Sequence, residues 1–288
     1  KLTRKYYTED MPDGRVKHIV QNITDPDIVP YIPDGIGNST DRQRIPAVLI
    51  IPGGAFRRLV YNFEGEDVAK WLNSMGIAAF VLECRLPSDE HDNAEDVPLI
   101  DAMRAMRVIR GRAQEFGIDE AKIGVMGFSA GGFMAALLST AYESDVYVDY
   151  KYKDEYDKLS ARPDFAVCSY PVISIDDCIE AGKRYMSEEQ VLERISDSKA
   201  KILHKYNPDK LVRPDMPPVF ICETDDDRTT LSENSVGFYM AARKAGVSAE
   251  LHIFRTGGHG YGCGDDFAQT GEWKVLFTKW IKSIGIIS

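Results

Sequence analysis

The fold is decided by ten residues, Ile123-Gly124-Val125-Met126-Gly127-Phe128-Ser129-Ala130-Gly131-Gly132. They begin as a short apolar strand, Ile123–Met126, and lead beyond Gly132 into residues that favour a helix. A G-x-S-x-G pentapeptide lies between the strand and the helix. Gly and Ser are common, so the pentapeptide alone says little, but a strand before it and a helix after it are the context that a nucleophilic serine requires. Such a turn holds the serine in a strained backbone conformation above the sheet edge, and we therefore predict that Ser129 is a nucleophile.

Strands and helices alternate on both sides of this turn. Continuous apolar runs predict buried strands at Ala47–Ile51 and Ile77–Leu82, and apolar residues at helical spacing predict a helix over Ala94–Phe116. Further strands are predicted at Val16–Val20, Phe165–Val167, Val219–Cys222 and Glu250–Phe254, and further helices at Glu66–Met75, Phe133–Leu138, Ser232–Ala245 and Glu272–Ile284. The alternation predicts a mostly parallel central sheet with helices on both faces, in a single domain over residues 1–288.

Two stretches interrupt the alternation. Tyr142–Pro163 contains five tyrosines and many charges, and Asp176–Asp215 suggests short helices without a strand. Ligands of such sheets bind beyond the carboxyl ends of the strands, so residues 142–163 and 176–215 are candidates for a small cap over the site. A solvated surface excursion explains the same composition equally well.

A serine hydroxyl needs a base to become a nucleophile. The chain has five histidines, and four of them lie in predicted strands or in polar segments without suitable neighbours. His259 lies instead in a glycine-rich loop, Gly257–Gly262, directly after the strand Glu250–Phe254. Such a loop can hold an exposed, positioned side chain, and we predict that His259 is the general base.

The acid that orients the base is expected between the serine and the histidine in chain order. Three adjacent aspartates, Asp225, Asp226 and Asp227, follow the strand Val219–Cys222. Because like charges repel, at least one of the three should face solvent. We take Asp227 as the acid, with Asp226 as the alternative.

Acyl transfer also needs backbone N–H groups aimed at the charge that develops on the carbonyl oxygen. One should belong to Ala130, directly after the nucleophile. The other should come from the loop after the strand Ala47–Ile51, which reads Pro52-Gly53-Gly54-Ala55-Phe56 and exposes its amides at the glycines.

The formal net charge of the chain is -10. An acidic surface repels phosphate groups, so neither nucleic acid nor an anionic membrane is expected as a partner, and a neutral substrate is expected instead. No apolar run approaches the roughly 18–20 residues that a membrane helix needs. The sequence gives no indication of an oligomeric state.

The cysteines match no zinc or redox spacing, and the glycine-rich segments suit an oxyanion loop and a serine turn better than a phosphate cradle, so neither a metal nor an organic cofactor is expected. Five of them are dispersed along the chain: Cys84, Cys168, Cys178, Cys222 and Cys263. An odd, dispersed set gives no disulfide framework, which favours a reducing, cytoplasmic compartment, and Cys168 and Cys222 lie in apolar runs as core residues. The chain begins at Lys1, so removal of a signal peptide and secretion stay open.

From about Ala47 to its C-terminus the chain resembles the esterase branch of the α/β-hydrolase superfamily. It is most similar to bacterial acetyl esterases and acetylxylan esterase-like proteins, which act on acylated sugars. The resemblance rests first on the loop 52–56, where many relatives have His-Gly-Gly-Gly, and on the serine turn 123–132. It continues in three later segments: Ser169-Tyr170-Pro171-Val172-Ile173, Asp227 with Glu233-Asn234-Ser235, and Leu251–Phe254 with the loop 257–262.

This resemblance implies the α/β-hydrolase fold, a triad of Ser129, His259 and Asp227, and an oxyanion hole formed by the amides of Gly54, Ala55 and Ala130. It implies a carboxylic ester hydrolase without a cofactor, which removes short acyl groups, acetyl above all, from small-molecule or oligosaccharide esters. A peptidase or an aryl-formamidase of the same fold is an alternative, as is a non-catalytic pseudo-hydrolase that only binds a ligand. The tyrosines of 142–163 suit stacking on a sugar, although packing of an insertion against the body explains them as well.

Overall fold

The computed structural model describes residues 3–35, 44–89, 91–147, 154–184, 186–195, 198–264 and 269–288. Within these ranges the strands are β1 (Lys5–Asp10), β2 (Val16–Gln21), β3 (Asp27–Tyr31), β4 (Ile45–Ile51), β5 (Leu59–Val60), β6 (Ala78–Glu83), β7 (Ile118–Phe128), β8 (Ala166–Ser169), β9 (Val219–Thr224) and β10 (Ala249–Phe254). The α-helices are α1 (Asp67–Ser74), α2 (Val97–Gly111), α3 (Ala113–Phe116), α4 (Ala130–Ala141), α5 (Ile175–Lys183), α6 (Glu188–Ile195), α7 (Ser198–Lys205), α8 (Ser232–Lys244) and α9 (Glu272–Ser283). Each strand and helix that the sequence predicted is present, with shifted ends.

A central sheet joins seven of these described strands in the order β10-β9-β8-β7-β4-β6-β3. Its neighbours are parallel except β3, which runs antiparallel to β6 at one edge. A separate antiparallel sheet has the order β1-β2-β5. The predicted fold class, a mostly parallel sheet with helices packed on it, is confirmed.

The central sheet separates two apolar cores, one on each face. Along β4, Leu49 packs into one core and Val48 and Ile50 pack into the other, because successive side chains of a strand point to opposite faces. Helix α4 contributes Leu137 to the first core, and helix α9 contributes Phe277 to the second. Since helices cover both faces, the inner strands are apolar along their whole length.

The strands β1, β3 and β5 were not expected from the sequence. Strand β1 reads Lys-Tyr-Tyr-Thr-Glu-Asp, and β3 contains Asp27 and Pro30, so neither is an apolar run. Strand β3 lies at the edge of its sheet, where the missing N–H of proline is tolerated. These strands form because a partner strand satisfies their backbone, which no local pattern reveals.

The turn from β7 to α4 is closely packed, backbone against backbone. A Cβ on Gly127 would lie 1.9 Å from the carbonyl oxygen of Gly131, and a Cβ on Gly131 would lie 1.9 Å from that of Ile51. Between the two glycines, Ser129 has a φ of 55°, in the left-handed region. Glycine at both positions therefore lets β4, β7 and α4 converge beneath the serine.

The described residues of the stretch 142–163 pack against helix α2, near the amino ends of the strands. The guanidinium of Arg107 lies 4.1 Å from the ring centroid of Tyr147, and Arg104 pairs with Asp154 at 2.5 Å. Asp164, directly after the stretch, accepts the amide of Ile123 in the middle of β7, whereas Ser129 follows the carboxyl end of that strand. Tyr150 and Tyr152 lie outside the described residues. For the described residues, packing against the body is the alternative that the structure supports, and a sugar-stacking role for Tyr147 is wrong.

The stretch 176–215 contains the predicted short helices. Helices α5, α6 and α7 occupy most of it, and at its end Tyr206 donates a hydrogen bond to Asp96, just before α2. None of its described residues lines the cleft at Ser129. In the part of the chain that the structure describes, the expected cap from 142–163 and 176–215 therefore does not border the serine.

The described cysteines are free thiols. Cys84, Cys168 and Cys222 are buried and Cys263 is partly buried, so the core positions predicted for Cys168 and Cys222 are confirmed. Cys178 lies in α5, and its side chain is outside the described part. No helix within the described ranges combines the length and the apolar character needed to cross a membrane.

We expect Gly131→Ala to lower the free energy of unfolding by about 3 kcal/mol, because the new methyl group would meet the fixed backbone of β4. Gly237→Ala is the matched control. Gly237 lies in α8, and a Cβ added to it would have no neighbouring atom within 4 Å, so alanine there should raise stability by about 0.5–1 kcal/mol. Urea unfolding followed by tryptophan fluorescence measures both, and equal stability of the two variants would contradict the packing argument.

Candidate active site

Three predicted residues from three separate loops meet at the carboxyl end of β7. His259 Nε2 lies 2.8 Å from Ser129 Oγ, and His259 Nδ1 lies 2.6 Å from Asp227 Oδ2. Because an ionised carboxylate only accepts hydrogen bonds, Nδ1 donates to Asp227 and Nε2 is left to accept the proton of the serine hydroxyl. The structure thus forms a continuous hydrogen-bond chain from hydroxyl to carboxylate. The catalytic roles of the three residues remain predictions.

The carboxylate of Asp227 is buried and fully bonded. The amides of Thr229 and Thr230 donate to Oδ1 at 2.6 Å and 3.0 Å, and the hydroxyl of Thr230 donates to Oδ2 at 3.0 Å. Burial alone would raise the pKa of Asp227, but the hydrogen bond and charge of His259 together with the two amides outweigh it and hold that pKa below its ordinary value. Asp227 is therefore ionised at neutral pH and can accept the hydrogen bond of His259.

The other two aspartates of the triplet are exposed. Asp226 Oδ1 accepts the amide of Gly258 at 2.8 Å, so its carboxylate holds the loop of the histidine rather than the imidazole. Of the two candidates for the acid, Asp227 is the one in contact with His259.

A buried carboxyl that sequence reasoning missed lies beneath the same site. Glu64 belongs to a π-helical turn, Asn62–Glu66, and its Oε2 accepts the amide of Gly53 at 2.8 Å. Its Oε1 accepts the hydroxyl of Tyr170 at 2.9 Å. Burial raises the pKa of Glu64, although the charge of His259 and both hydrogen bonds oppose the shift.

Tyr170 extends this connection to the loop of the base. Its hydroxyl accepts the amide of Gly262 at 3.1 Å, and its ring stands edge-on to His259 with centroids 5.0 Å apart. Glu64 and Tyr170 therefore tie the loop 52–56 to the loop 257–262. The segment Ser169–Ile173 marked the place of Tyr170 in the sequence, but nothing in the sequence signalled the burial of Glu64.

The predicted oxyanion amides lie where the loop and the helix meet. The amide of Gly53 is taken by Glu64, whereas those of Gly54, Ala55 and Ala130 have no acceptor among the described residues. Gly54 has a φ of 139° and Ala55 one of 58°, so the backbone of the loop turns through conformations that residues with a side chain rarely adopt. Ala130 begins helix α4, where the first amides are unpaired by geometry. All three amides are thus able to bind an anionic oxygen.

A cleft of about 410 Å³ opens beside Ser129 and His259. One wall is formed by the hairpin of β1 and β2, which the sequence analysis did not associate with the site. The described residues that line this cleft are Met11, Asp13, Arg15, Lys17, Gly54, Ala55, Arg58, Val60, Phe63, Glu64, Ser129, Thr229, Gly257, His259 and Gly260. Across the described ranges, no three His, Cys, Asp or Glu side chains cluster so as to hold a metal ion.

Residues 36–241, well over half of the chain, match a protein family model named BD-FAE. The chain belongs to the BD-FAE family. A solved relative supports the fold: the crystal structure of an acetyl ester-xyloside bifunctional hydrolase from Caldicellulosiruptor lactoaceticus has 38% sequence identity and a TM-score of 0.74, covering 91% of this chain and 89% of that one. The fold of this BD-FAE protein is that of the α/β-hydrolases.

Two curated relatives of this BD-FAE protein are considerably longer. The acetylxylan esterase of Xylanibacter ruminicola is 31% identical over 240 residues, which cover 83% of this chain and 45% of the relative. The endo-1,4-beta-xylanase B of Butyrivibrio fibrisolvens is 29% identical over 269 residues, which cover 91% of this chain and 40% of the relative. The chain therefore spans less than half the length of both curated relatives.

We expect Tyr170→Phe to lower the free energy of unfolding by about 1–3 kcal/mol, because it leaves the amide of Gly262 and the Oε1 atom of Glu64 without a partner. Tyr261→Phe is the matched control, since its ring lies 4.5 Å from that of Tyr170 and is also buried. The hydroxyl of Tyr261 reaches no nitrogen or oxygen partner among the described residues and lies near the Cys222 thiol, a weak hydrogen-bonding group. Removal of that hydroxyl should leave stability unchanged or slightly raised. Urea unfolding measures the free energy of unfolding of both variants. An equal loss of stability in the two would argue against the bridging role of Tyr170.

Proposed function

We propose that this BD-FAE protein is a serine-dependent carboxylic ester hydrolase that removes short acyl groups, acetyl above all, from acylated carbohydrates. The observation that carries the proposal is the hydrogen-bond chain from Ser129 through His259 to Asp227, which opens onto a cleft beside unpaired amides. The names of two relatives, an acetylxylan esterase and an acetyl ester-xyloside hydrolase, support the choice of an acetylated saccharide.

In this mechanism Ser129 Oγ attacks the acyl carbon while His259 Nε2 takes the hydroxyl proton. The imidazolium that results is stabilised by Asp227, which also fixes the tautomer with Nε2 free to accept. His259 then gives its proton to the leaving sugar oxygen. Water, deprotonated by the same nitrogen, cleaves the acyl-enzyme and returns Ser129 to its hydroxyl form.

The carbonyl oxygen gains negative charge in each tetrahedral intermediate. The amides of Gly54, Ala55 and Ala130 are assigned to bind it. Because these donors are fixed before the reaction begins, they stabilise the transition state without reorganising, an effect of about 10²–10³-fold for a single donor. Glu64 takes up the amide of Gly53 and so keeps the loop in the conformation that presents the next two.

The space beside the oxyanion amides supports a short acyl group. An apolar recess of about 10 Å³ lies next to Ala130, lined also by Phe56, Leu86 and Met134. A recess of that size holds about one water-sized or methyl-sized group. An acetyl methyl fits such a space.

The decisive measurement is release of acetate from acetylated xylo-oligosaccharides, together with kcat/KM on p-nitrophenyl esters from acetate to decanoate. We expect acetate release and a maximum at acetate. Ser129→Ala should lower kcat by about 10⁴-fold or more while the chain stays folded, since triad members act as a unit. Ser74→Ala, an exposed serine at the end of α1, is the control and should keep wild-type turnover. A maximum at octanoate or longer, without acetate release, would point to a lipase-like enzyme instead.

Asp227→Asn should lower kcat by about 10³–10⁴-fold, because an amide can hold the imidazole in the wrong tautomer. Asp226→Asn is its neighbour and control. The asparagine oxygen can still accept the amide of Gly258, so this change should cost less than about 10-fold. Turnover of both variants on p-nitrophenyl acetate tests the assignment, which fails if the Asp226 variant is the inactive one.

A further inference from the structure

The charge around the cleft has the opposite sign to the charge of the chain. The chain carries a formal charge of -10, but three of the described charged side chains that line the cleft are cations, Arg15, Lys17 and Arg58. The two carboxyl groups in the lining are those of Asp13 and Glu64. Glu64 is buried and both of its oxygens accept hydrogen bonds, so its carboxyl group is less accessible to a ligand than the other charged groups of the lining.

The cations are set on the hairpin wall and on the segment that pairs with it. Arg15 directly precedes β2 and Lys17 lies within it, two residues apart, so their side chains leave the same face. Arg58 directly precedes β5, which pairs with β2 through Val60 and Ile19. The three cationic groups therefore lie along one wall, beside Ser129 rather than on an unrelated surface.

Two of the three cations are already engaged. Arg15 pairs with Asp13 at 2.8 Å and lies 5.2 Å from the ring centroid of Phe63, and Arg58 pairs with Glu9. Lys17 forms no hydrogen bond or ion pair with a described residue, although its charge acts on the buried Glu64. Lys17 is thus the cation of this wall without an ion pair to a described residue, although Glu9 lies opposite it in the β1–β2 register, and its ammonium group has three hydrogens to donate.

We propose that the saccharide part of the substrate carries a carboxylate, as a uronic acid residue does, and that Lys17, flanked by Arg15 and Arg58, binds this carboxylate during ester hydrolysis. The inference rests on the proposed function and narrows its substrate class. A single ammonium without an ion pair suits a monoanion such as a carboxylate, whose oxygens accept charge-assisted hydrogen bonds. It also replaces the neutral substrate that the charge of the whole chain suggested.

The physical basis is focusing of charge in a cleft. A cation beside low-dielectric walls attracts an anion more strongly than one on an open surface, and the contact is a charge-assisted hydrogen bond. An exposed pair of this kind changes kcat/KM by about 5- to 10-fold. Such an effect would distinguish two substrates that differ only in one carboxylate.

The test uses one acetylated oligosaccharide in two forms. Acetylated glucuronoxylo-oligosaccharides are compared with the same preparation after its carboxyl groups have been converted to primary amides, and kcat/KM for acetate release is measured on both. For the wild type we expect a ratio of about 5–10 in favour of the carboxylate form, falling toward 1 in about 0.5 M NaCl as salt screens the contact.

Lys17→Gln should bring the ratio close to 1 at low salt, and Lys17→Arg, which keeps the charge, should preserve it. Lys244→Gln, at an exposed lysine of α8 outside the cleft lining, should behave as the wild type.

The outcomes separate the two proposals. If the wild type and Lys244→Gln release acetate from both forms at equal rates, the carboxylate preference is wrong and the ester hydrolase stands. If a wild-type preference survives unchanged in Lys17→Gln, the assignment to Lys17 is wrong. If the wild type releases no acetate from either form and does not hydrolyse p-nitrophenyl acetate, the proposed function itself is overturned.

Discussion

The backbone of Ser129 holds a positive φ of 55°, and the rest of the site depends on the packing that imposes it. A non-glycine residue in this conformation costs about 1–3 kcal/mol and persists only where its surroundings determine it. Here the amide of Ser129 donates to the carbonyl of Ser169 at 3.0 Å, and Gly127 and Gly131 let three backbones meet below it. The strain lifts the hydroxyl above the sheet edge, toward His259. A looser turn would leave the same residues near one another without the 2.8 Å contact that links them.

The second requirement is that two loops far apart in sequence keep a fixed relation to that serine. The loop 52–56 carries the predicted oxyanion amides, and the loop 257–262 carries His259, the predicted base. Glu64 and Tyr170 join them through hydrogen bonds from Gly53 and Gly262, below the cleft and away from water. Burial of the Glu64 carboxyl is unfavourable, which its raised pKa reflects. Its two bonds offset that cost, and an apolar residue in its place would leave both donors unpaired.

The sequence predicted the chemistry of the site better than its surroundings. The serine turn is a local pattern, because the strand, the glycines and the helix lie within one continuous stretch, and His259 and Asp227 each follow a recognisable strand. The choice between Asp226 and Asp227 needed the structure, since it depends on which carboxylate turns inward. Glu64 was missed because its burial results from contacts with segments distant in the chain. The β1 and β2 hairpin was missed because a charged strand such as Lys5–Asp10 forms only against its partner.

The hairpin also shows why the net charge of the chain and the charge of the cleft are separate quantities. A sum over the whole chain describes long-range repulsion from nucleic acid or an anionic surface, but a ligand in a cleft meets only the nearest groups. Those groups stand on a small separate sheet, whereas the reacting groups stand on the carboxyl ends of the central one. Strands β2 and β5 place Val20 and Leu59 in a main core, whereas Arg15, Lys17 and Arg58 are only partly buried, so these charges can change with less effect on the positions of Ser129, His259 and Asp227. In the proposed mechanism the reacting groups therefore stand on the central sheet, and the proposed carboxylate contact stands on the smaller one.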